Sequence, residues 1–151
     1  MATYYRIVQA EWARNAMNGE GAWLHGGRWN PPGLHAVYLA ESRALAALEI
    51  IVHAPREVWS LEWQIIEVEV PDELIQSVSR ADLPAGWQAL PSSLTARNFG
   101  AKWLRSRKAL ALKLPSVIIT EEHSLLLNPC HVDVVKLRVS KPKEFRLDSR
   151  F

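Results

Sequence analysis

Apolar and polar residues along the chain fall into several short alternating stretches and two stretches with helical spacing. Tyr4-Tyr5-Arg6-Ile7-Val8 reads as an opening strand, with Arg6 set among apolar neighbours. Residues 9–24 are mixed, and Asn18-Gly19-Glu20-Gly21 is turn material. Val37-Tyr38-Leu39-Ala40 has the β-branched and aromatic content of a short strand. Ser42 then suits a helix N-cap. Pro55 stops that helix, because the residue before a proline resists the helical conformation. Leu45, Leu48 and Val52 share one helical face, while Ala44, Ala46, Ala47, Ile50 and Ile51 cover most of the rest. The pattern predicts a helix buried on nearly all sides, with Glu49 as the one acid inside it.

Further along, Trp59, Leu61, Trp63 and Ile65 alternate with polar residues, after which the apolar phase shifts to Ile66, Val68 and Val70. A one-residue phase change predicts a β-bulge. Pro71 ends that strand, and Asp72 to Ile75 suits one helical turn. Residues 79–91 read as loop. A helix follows from Ser92 or Ser93 to about Arg105, anchored by Phe99, Trp103 and Leu104. Ala109 to Leu114 predicts a short strand, Val117 to Ile119 a better one, and Val132 to Val139 a last one, with a turn at Asn128-Pro129. The chain has no internal repeat, low-complexity tract or linker. The expected architecture is a single compact α/β (α+β) domain over residues 1–151, with a central mixed or antiparallel sheet flanked by helices. A Rossmann topology is not expected, because no Gly-x-Gly-x-x-Gly follows a strand.

Composition narrows the classes. A chain of 151 residues supports one domain with a real core. Its 48% hydrophobic and 23% charged residues are those of an ordinary soluble protein. No apolar run reaches membrane-spanning length and no signal-peptide pattern opens the chain, so a cytoplasmic location is expected. The single cysteine, Cys130, excludes an internal disulfide. A net charge of +2 is too small to argue for nucleic acid. The most basic segment, with Arg97, Lys102, Arg105, Arg107 and Lys108, reads as a solvated helix face. Seven tryptophans mark a large aromatic core or an interface, and a homodimer or a hetero-oligomer is expected.

Two polar residues sit where a purely structural chain rarely puts them. Arg28 follows Gly26-Gly27 and precedes Pro31-Pro32-Gly33. Glycine allows close backbone approach and proline fixes the chain, so the guanidinium is held on a stiff frame suited to a phosphate or carboxylate. Glu49 in an apolar helix is costly unless paired or functional. The familiar templates fail. There is no Walker loop and no His-Glu-x-x-His, and the five histidines lack metal-ligand spacing, so no metal is expected. Ser124 lacks the Gly-x-Ser-x-Gly elbow of a serine hydrolase. What remains is Arg6, Arg28, Tyr38, Glu49, Ser124 and Asn128. That set suits a phosphate-bearing ligand with a cationic reaction centre.

Gly27-Arg28-Trp29-Asn30, Val37-Tyr38-Leu39-Ala40, Leu48-Glu49 and Ser124 ahead of Asn128-Pro129 together resemble the RES domain family, as does Tyr5-Arg6-Ile7 at the start. The resemblance spans essentially the whole chain. It implies an ADP-ribosyltransferase-like fold and the toxin half of a bacterial type II toxin–antitoxin pair. It implies consumption of NAD+ as substrate, by hydrolysis, by phosphorolysis or by ADP-ribosylation of a protein. The implied partner is an antitoxin with an Xre-like helix-turn-helix domain, through which alone DNA would be met. Catalytic roles fall on Glu49, Arg28 and Ser124, and NAD+ binding on Arg6, Arg28, Tyr38, Ser124 and Asn128. Two rival readings are a nucleic-acid-binding or RNA-cleaving toxin and a non-catalytic interaction module. The first predicts affinity that falls steeply with salt. The second predicts that Glu49→Gln changes nothing.

Overall fold

A computed structural model describes residues 1–151. Eight strands form one sheet, in the order β4-β5-β6-β2-β1-β3-β7, with β8 also on β3. The strands are β1 Ala2–Gln9, β2 Val37–Ala40, β3 Trp63–Val70, β4 Ile75–Ser77, β5 Ala111–Pro115, β6 His123–Leu127, β7 Arg138–Val139 and β8 Lys143–Phe145. Every pairing is antiparallel except β4 with β5, so the sheet is mixed. The helices are α1 Glu20–His25, α2 Arg43–His53 and α3 Leu94–Ser106. This is the expected α/β class without a doubly wound parallel sheet.

The sheet separates two apolar bodies. Alternation sends Tyr4, Val8, Val37, Leu39, Ile66, Val68, Leu125 and Leu127 to one face, where they form one cluster. The opposite face carries Leu112, Leu114 and Leu126, packed with Trp29, Trp87, Trp103 and Leu104 around α3. On that same face Ala40 meets Leu45 and Ala46 of α2. The pairings Tyr5 with Ala40, Ala40 with Ser124 and Ser124 with Leu114 run as one row across the sheet. Ser124 therefore stands on the α2 side.

Several sequence expectations need correction. β3 has no bulge: its register with β1 runs unbroken from Ala2 opposite Val70 to Gln9 opposite Trp63. Ile65 and Ile66 are both buried because both faces of β3 are covered, which mimics a phase change. Residues 117–119 form no strand, since the Ser116 hydroxyl accepts from the backbone N–H of Ile118 and Ile119 and turns the chain. The strand there is β6. Residues 132–136 form a 3-10 helix capped by the His131 ring, which accepts from the Asp133 N–H at 3.0 Å, and only Arg138–Val139 is strand. The segment Glu20–His25, expected as turn and mixed sequence, is helical.

The α2 boundaries match the expectation. The Ser42 hydroxyl accepts from the Leu45 N–H at 3.0 Å, and the helix ends at His53 ahead of Pro55. Its burial does not match. Only Leu45, Ala46 and Ile50 are buried, and Val52 is 56% exposed. α2 covers the sheet with one face and leaves the rest open, so its apolar composition reflects more than core packing.

Candidate active site

Arg28 sits in a tight loop whose chain is held by Asn30. The Gly27 N–H donates to the Asn30 carbonyl at 2.9 Å, and Gly26, at φ 73°, reverses the chain at the end of α1. Asn30 is fully buried. Its side-chain amide donates to the carbonyls of Ala22, Pro31 and Leu34, and its Oδ1 accepts from the Tyr38 hydroxyl at 2.6 Å. The same hydroxyl accepts from the Trp29 N–H at 3.1 Å. Gly27 is required here because a Cβ would lie 2.7 Å from that hydroxyl. Tyr38 therefore uses its polar end to lock the loop to β2. Burial pushes its phenol well above the usual range, so it remains protonated.

The Arg28 guanidinium donates from one Nη1 to the carbonyls of Trp87 and Ala89, at 2.9 and 2.8 Å. Trp87 in turn stacks on Trp29, with centroids 6.3 Å apart, and Phe99 of α3 meets Trp29 edge-on. Half-burial holds the Arg28 guanidinium below its usual value, while the Glu49 carboxylate acts in the other direction. Glu49 is thus the carboxylate whose charge acts on Arg28, without a direct ion pair between them. Glu49 also bonds His53 one turn later, Oε2 to Nε2 at 3.0 Å. That hydrogen bond raises His53 above the ordinary histidine value. The Glu49 side chain is 37% exposed. The expected deeply buried acid is instead a partly exposed carboxylate, bonded to His53.

Ser124 has a different support. Glu41 accepts from both the N–H and the ring Nδ1 of His123, at 2.9 and 2.8 Å. The Ser42 hydroxyl donates to Glu122 at 2.6 Å. These bonds fasten the start of β6 to the start of α2, and so fix Ser124 relative to the helix that carries Glu49. Among the expected residues, Arg28, Tyr38, Glu49 and Ser124 thus share one side of the sheet.

Arg6 and Asn128 are placed otherwise. Arg6 lies opposite Ile66 in the sheet, in the row that feeds the far core. Its guanidinium donates to the Tyr38 carbonyl at 3.0 Å, bridging a β1–β2 ladder that has one residue pairing. Burial pushes Arg6 down to about 10. Asn128 is buried, donates to the Leu104 carbonyl at 3.0 Å and accepts from the Cys130 N–H at 3.0 Å. Both atoms of its amide are used to tie α3 to the turn after β6. A cleft of about 270 Å³ that includes Asn128 is lined by His35, Arg105 and Arg107 and includes none of Arg28, Glu49 or Ser124. A cleft of about 560 Å³, between Trp59, Trp63, Phe145 and Leu147, is also separate from them.

The chain resembles known proteins over nearly its whole length. The RES domain model matches residues 3–148. The chain belongs to the RES domain family. A Prs ADP-ribosylating toxin from Sphingobium sp. is 41% identical over 153 residues, covering 99% of this chain and 92% of that protein. A protein named Toxin Res from Yersinia enterocolitica is 36% identical, covering 97% of each. The NAD(+) phosphorylase MbcT of Mycobacterium tuberculosis is 49% identical over a shorter stretch, 32% of this chain and 25% of that protein. The crystal structure of the M. tuberculosis MbcT–MbcA toxin–antitoxin complex superimposes with a TM-score of 0.76 at 22% identity, over 96% of this chain and 84% of that one. This RES protein therefore shares its fold with the matched chain of that complex. No helix in it is long and apolar enough to cross a membrane.

His53, Asn30, Glu41 and Glu122 were not assigned roles by sequence reasoning. The i,i+4 spacing of Glu49 and His53 was the one visible signal among them. Asn30 lay inside the motif but its four bonds depend on the folded loop.

Proposed function

We propose that this RES protein is the toxin of a toxin–antitoxin pair and cleaves the nicotinamide–ribose bond of NAD+. The observation that supports the reading is that Arg28, Tyr38, Glu49 and Ser124 lie on one side of the sheet, with the Glu49 carboxylate partly open to solvent. Cleavage breaks the bond between ribose C1′ and the pyridinium nitrogen. The electron pair leaves with nicotinamide, which departs neutral and needs no proton. Positive charge builds on the ribose, as in glycoside cleavage, and the Glu49 carboxylate stabilises it. A water oxygen then bonds C1′ and releases its proton to solvent, or a phosphate oxygen bonds C1′ with its own lone pair. His53 orients Glu49 by its hydrogen bond.

Arg28 suits the diphosphate, since its Nη1 is held by two carbonyls while the rest of the fork stays available. Tyr38 shapes the loop that carries Arg28, and Ser124 bonds a nicotinamide or ribose group. Asn128 acts as a positioning residue, since both ends of its amide bond within the fold, while Arg6 braces the Tyr38 carbonyl and keeps a buried Nε without a partner. A second reading, transfer of ADP-ribose to a protein, is favoured by the name of the Sphingobium relative at 41% identity. The partner in this reading is an antitoxin with an Xre-like helix-turn-helix domain, in the cytoplasm.

The test is purified protein with NAD+, resolved by chromatography with and without phosphate. Nicotinamide release with ADP-ribose indicates hydrolysis, and a phosphorylated ADP-ribose indicates phosphorolysis. Nicotinamide release that requires added protein points to transfer. No release under any of these conditions would remove the proposal.

A further inference from the structure

Arg97 has no place in the constellation described so far. It lies on α3, three residues before Gly100 and therefore on the same face. Gly100 is pressed against the backbone of Trp29: a Cβ there would lie 1.7 Å from the Trp29 carbonyl oxygen. That contact carries the preceding turn of α3, and Arg97 with it, to the flank of the Arg28–Trp29 loop. Tyr38 feels both guanidinium groups, and each opposes the effect of burial on its phenol.

The bonding of Arg97 is incomplete. Its Nε is buried without any hydrogen-bond partner, and its Nη2 reaches only the Ser92 hydroxyl at 3.3 Å. Neither Arg97 nor Arg28 is paired with a carboxylate in any ion pair of the chain. A buried charged donor left unpaired is costly, and such groups in folded proteins find partners. Glu49, the carboxylate whose charge acts on Arg28, already bonds His53. Arg28, next to Trp29, and Arg97, one turn before the Gly100 that touches Trp29, thus both lack a carboxylate partner. A tetrahedral anion offers several acceptor oxygens, the kind of partner that guanidinium forks without a carboxylate lack.

We propose that Arg97 is an anion-binding residue of the site and, with Arg28, grips a phosphate group of the ligand. The assignment rests on the NAD+ reading above for the identity of that ligand. The phosphate belongs either to the NAD+ diphosphate or to free phosphate entering as co-substrate.

The experiment compares wild type, Arg97→Gln and Arg97→Lys in two formats. The first is titration with inorganic pyrophosphate and with inorganic phosphate, followed by calorimetry. It needs no turnover. The second is KM for NAD+ at fixed phosphate and KM for phosphate at fixed NAD+. Arg97→Gln is expected to weaken pyrophosphate binding and raise the NAD+ KM about tenfold or more, the scale of one charged hydrogen bond, with kcat within about threefold. Arg97→Lys is expected to recover part of that loss. A raised phosphate KM with unchanged NAD+ KM assigns the site to free phosphate and still supports Arg97. Unchanged affinities and KM values in Arg97→Gln overturn the proposal, whatever the melting temperature does. If Arg97→Gln does not fold, the same comparison is made with Arg97→Lys, which keeps the charge and loses the fork. Wild-type protein that binds pyrophosphate through Arg97 but releases no nicotinamide keeps this site and removes NAD+ cleavage instead.

Discussion

Helices α2 and α3 reverse what their sequences announce. α2, Arg-Ala-Leu-Ala-Ala-Leu-Glu-Ile-Ile-Val-His, is apolar at nearly every position, yet three of its residues are buried. α3 carries Arg97, Lys102 and Arg105, yet Ala96, Gly100, Ala101, Trp103 and Leu104 are all buried. The difference lies in what each helix must approach. α2 lies along a sheet face and needs one stripe, so its outer face is free to carry Glu49 and His53. α3 wedges against the backbone of the Arg28 loop, and only small residues on its inner face permit that approach. Composition described neither arrangement. Side-chain size at the contact points did.

The largest effect is expected where α3 is tightest. Gly100→Ala would stabilise an ordinary exposed helix by about 1 kcal/mol. Here it should destabilise by at least about 3 kcal/mol, the upper end of overpacking costs, because the obstacle is backbone. The denaturant midpoint measures this, and an unchanged or raised midpoint would refute the wedge.

For α2 the contrast runs the other way. Glu49→Gln removes a half-exposed charge whose partner His53 is 68% exposed, so melting should change little. Turnover should fall by about 100-fold, with smaller change in NAD+ affinity. A folded Glu49→Gln protein that releases nicotinamide at the parental rate would return α2 to a purely structural role.

Tyr38 links the two regions, since its strand is packed by α2 and its hydroxyl holds the loop that α3 presses on. Tyr38→Phe strands the Trp29 N–H and the Asn30 oxygen, and should cost roughly 1–3 kcal/mol. Loss of Arg28-dependent NAD+ binding beyond that stability change would sharpen its role at the site. An equilibrium unfolding curve identical to wild type would show that the bond is dispensable.

The smallest effect is one of pH. His53 is raised above its ordinary value of 6.5 by Glu49. Its contribution to stability is therefore fully present below about pH 6.5 and fades as pH rises through the raised folded value. Exposure limits it to a few tenths of a kcal/mol. The stability difference between wild type and His53→Ala, followed across pH, should shrink upward. A difference that grows with pH would contradict the sign.

What the sequence made legible follows local chemistry. β2, the Ser42 cap, the proline stop of α2 and the stiff Arg28 frame all depend on neighbours in the chain. The Ser93 N-cap of α3 does too, its hydroxyl accepting from the Ala96 N–H. The failures have a common origin in long-range contacts. Leu125-Leu126-Leu127 is buried on both faces and shows no alternation, so β6 passed unseen. Glu49 looked buried because nothing in an apolar helix tells which side the sheet will cover. Arg97 looked solvated because its place depends on a glycine meeting a tryptophan some 70 positions earlier. Of the seven tryptophans, Trp29, Trp63, Trp87 and Trp103 went to the core, while Trp12 and Trp23 remain exposed.

The strand order has a consequence for how the molecule is born. β2 sits between β1 and β6, and so its second neighbour comes from residues 123–127. While the chain emerges from the ribosome, β1 and β3 can pair along their full length soon after Val70 appears. The other half of the sheet must wait for most of the chain to be made. Arg28 and Glu49 are among the earlier residues synthesised, whereas Ser124 and the bonds from Glu122 and His123 arrive late. Distant pairings of this kind are slow to form, since loop closure precedes the contact that rewards it. A sheet ordered this way leaves Arg28 and Glu49 without the strand that carries Ser124 until most of the chain has been made.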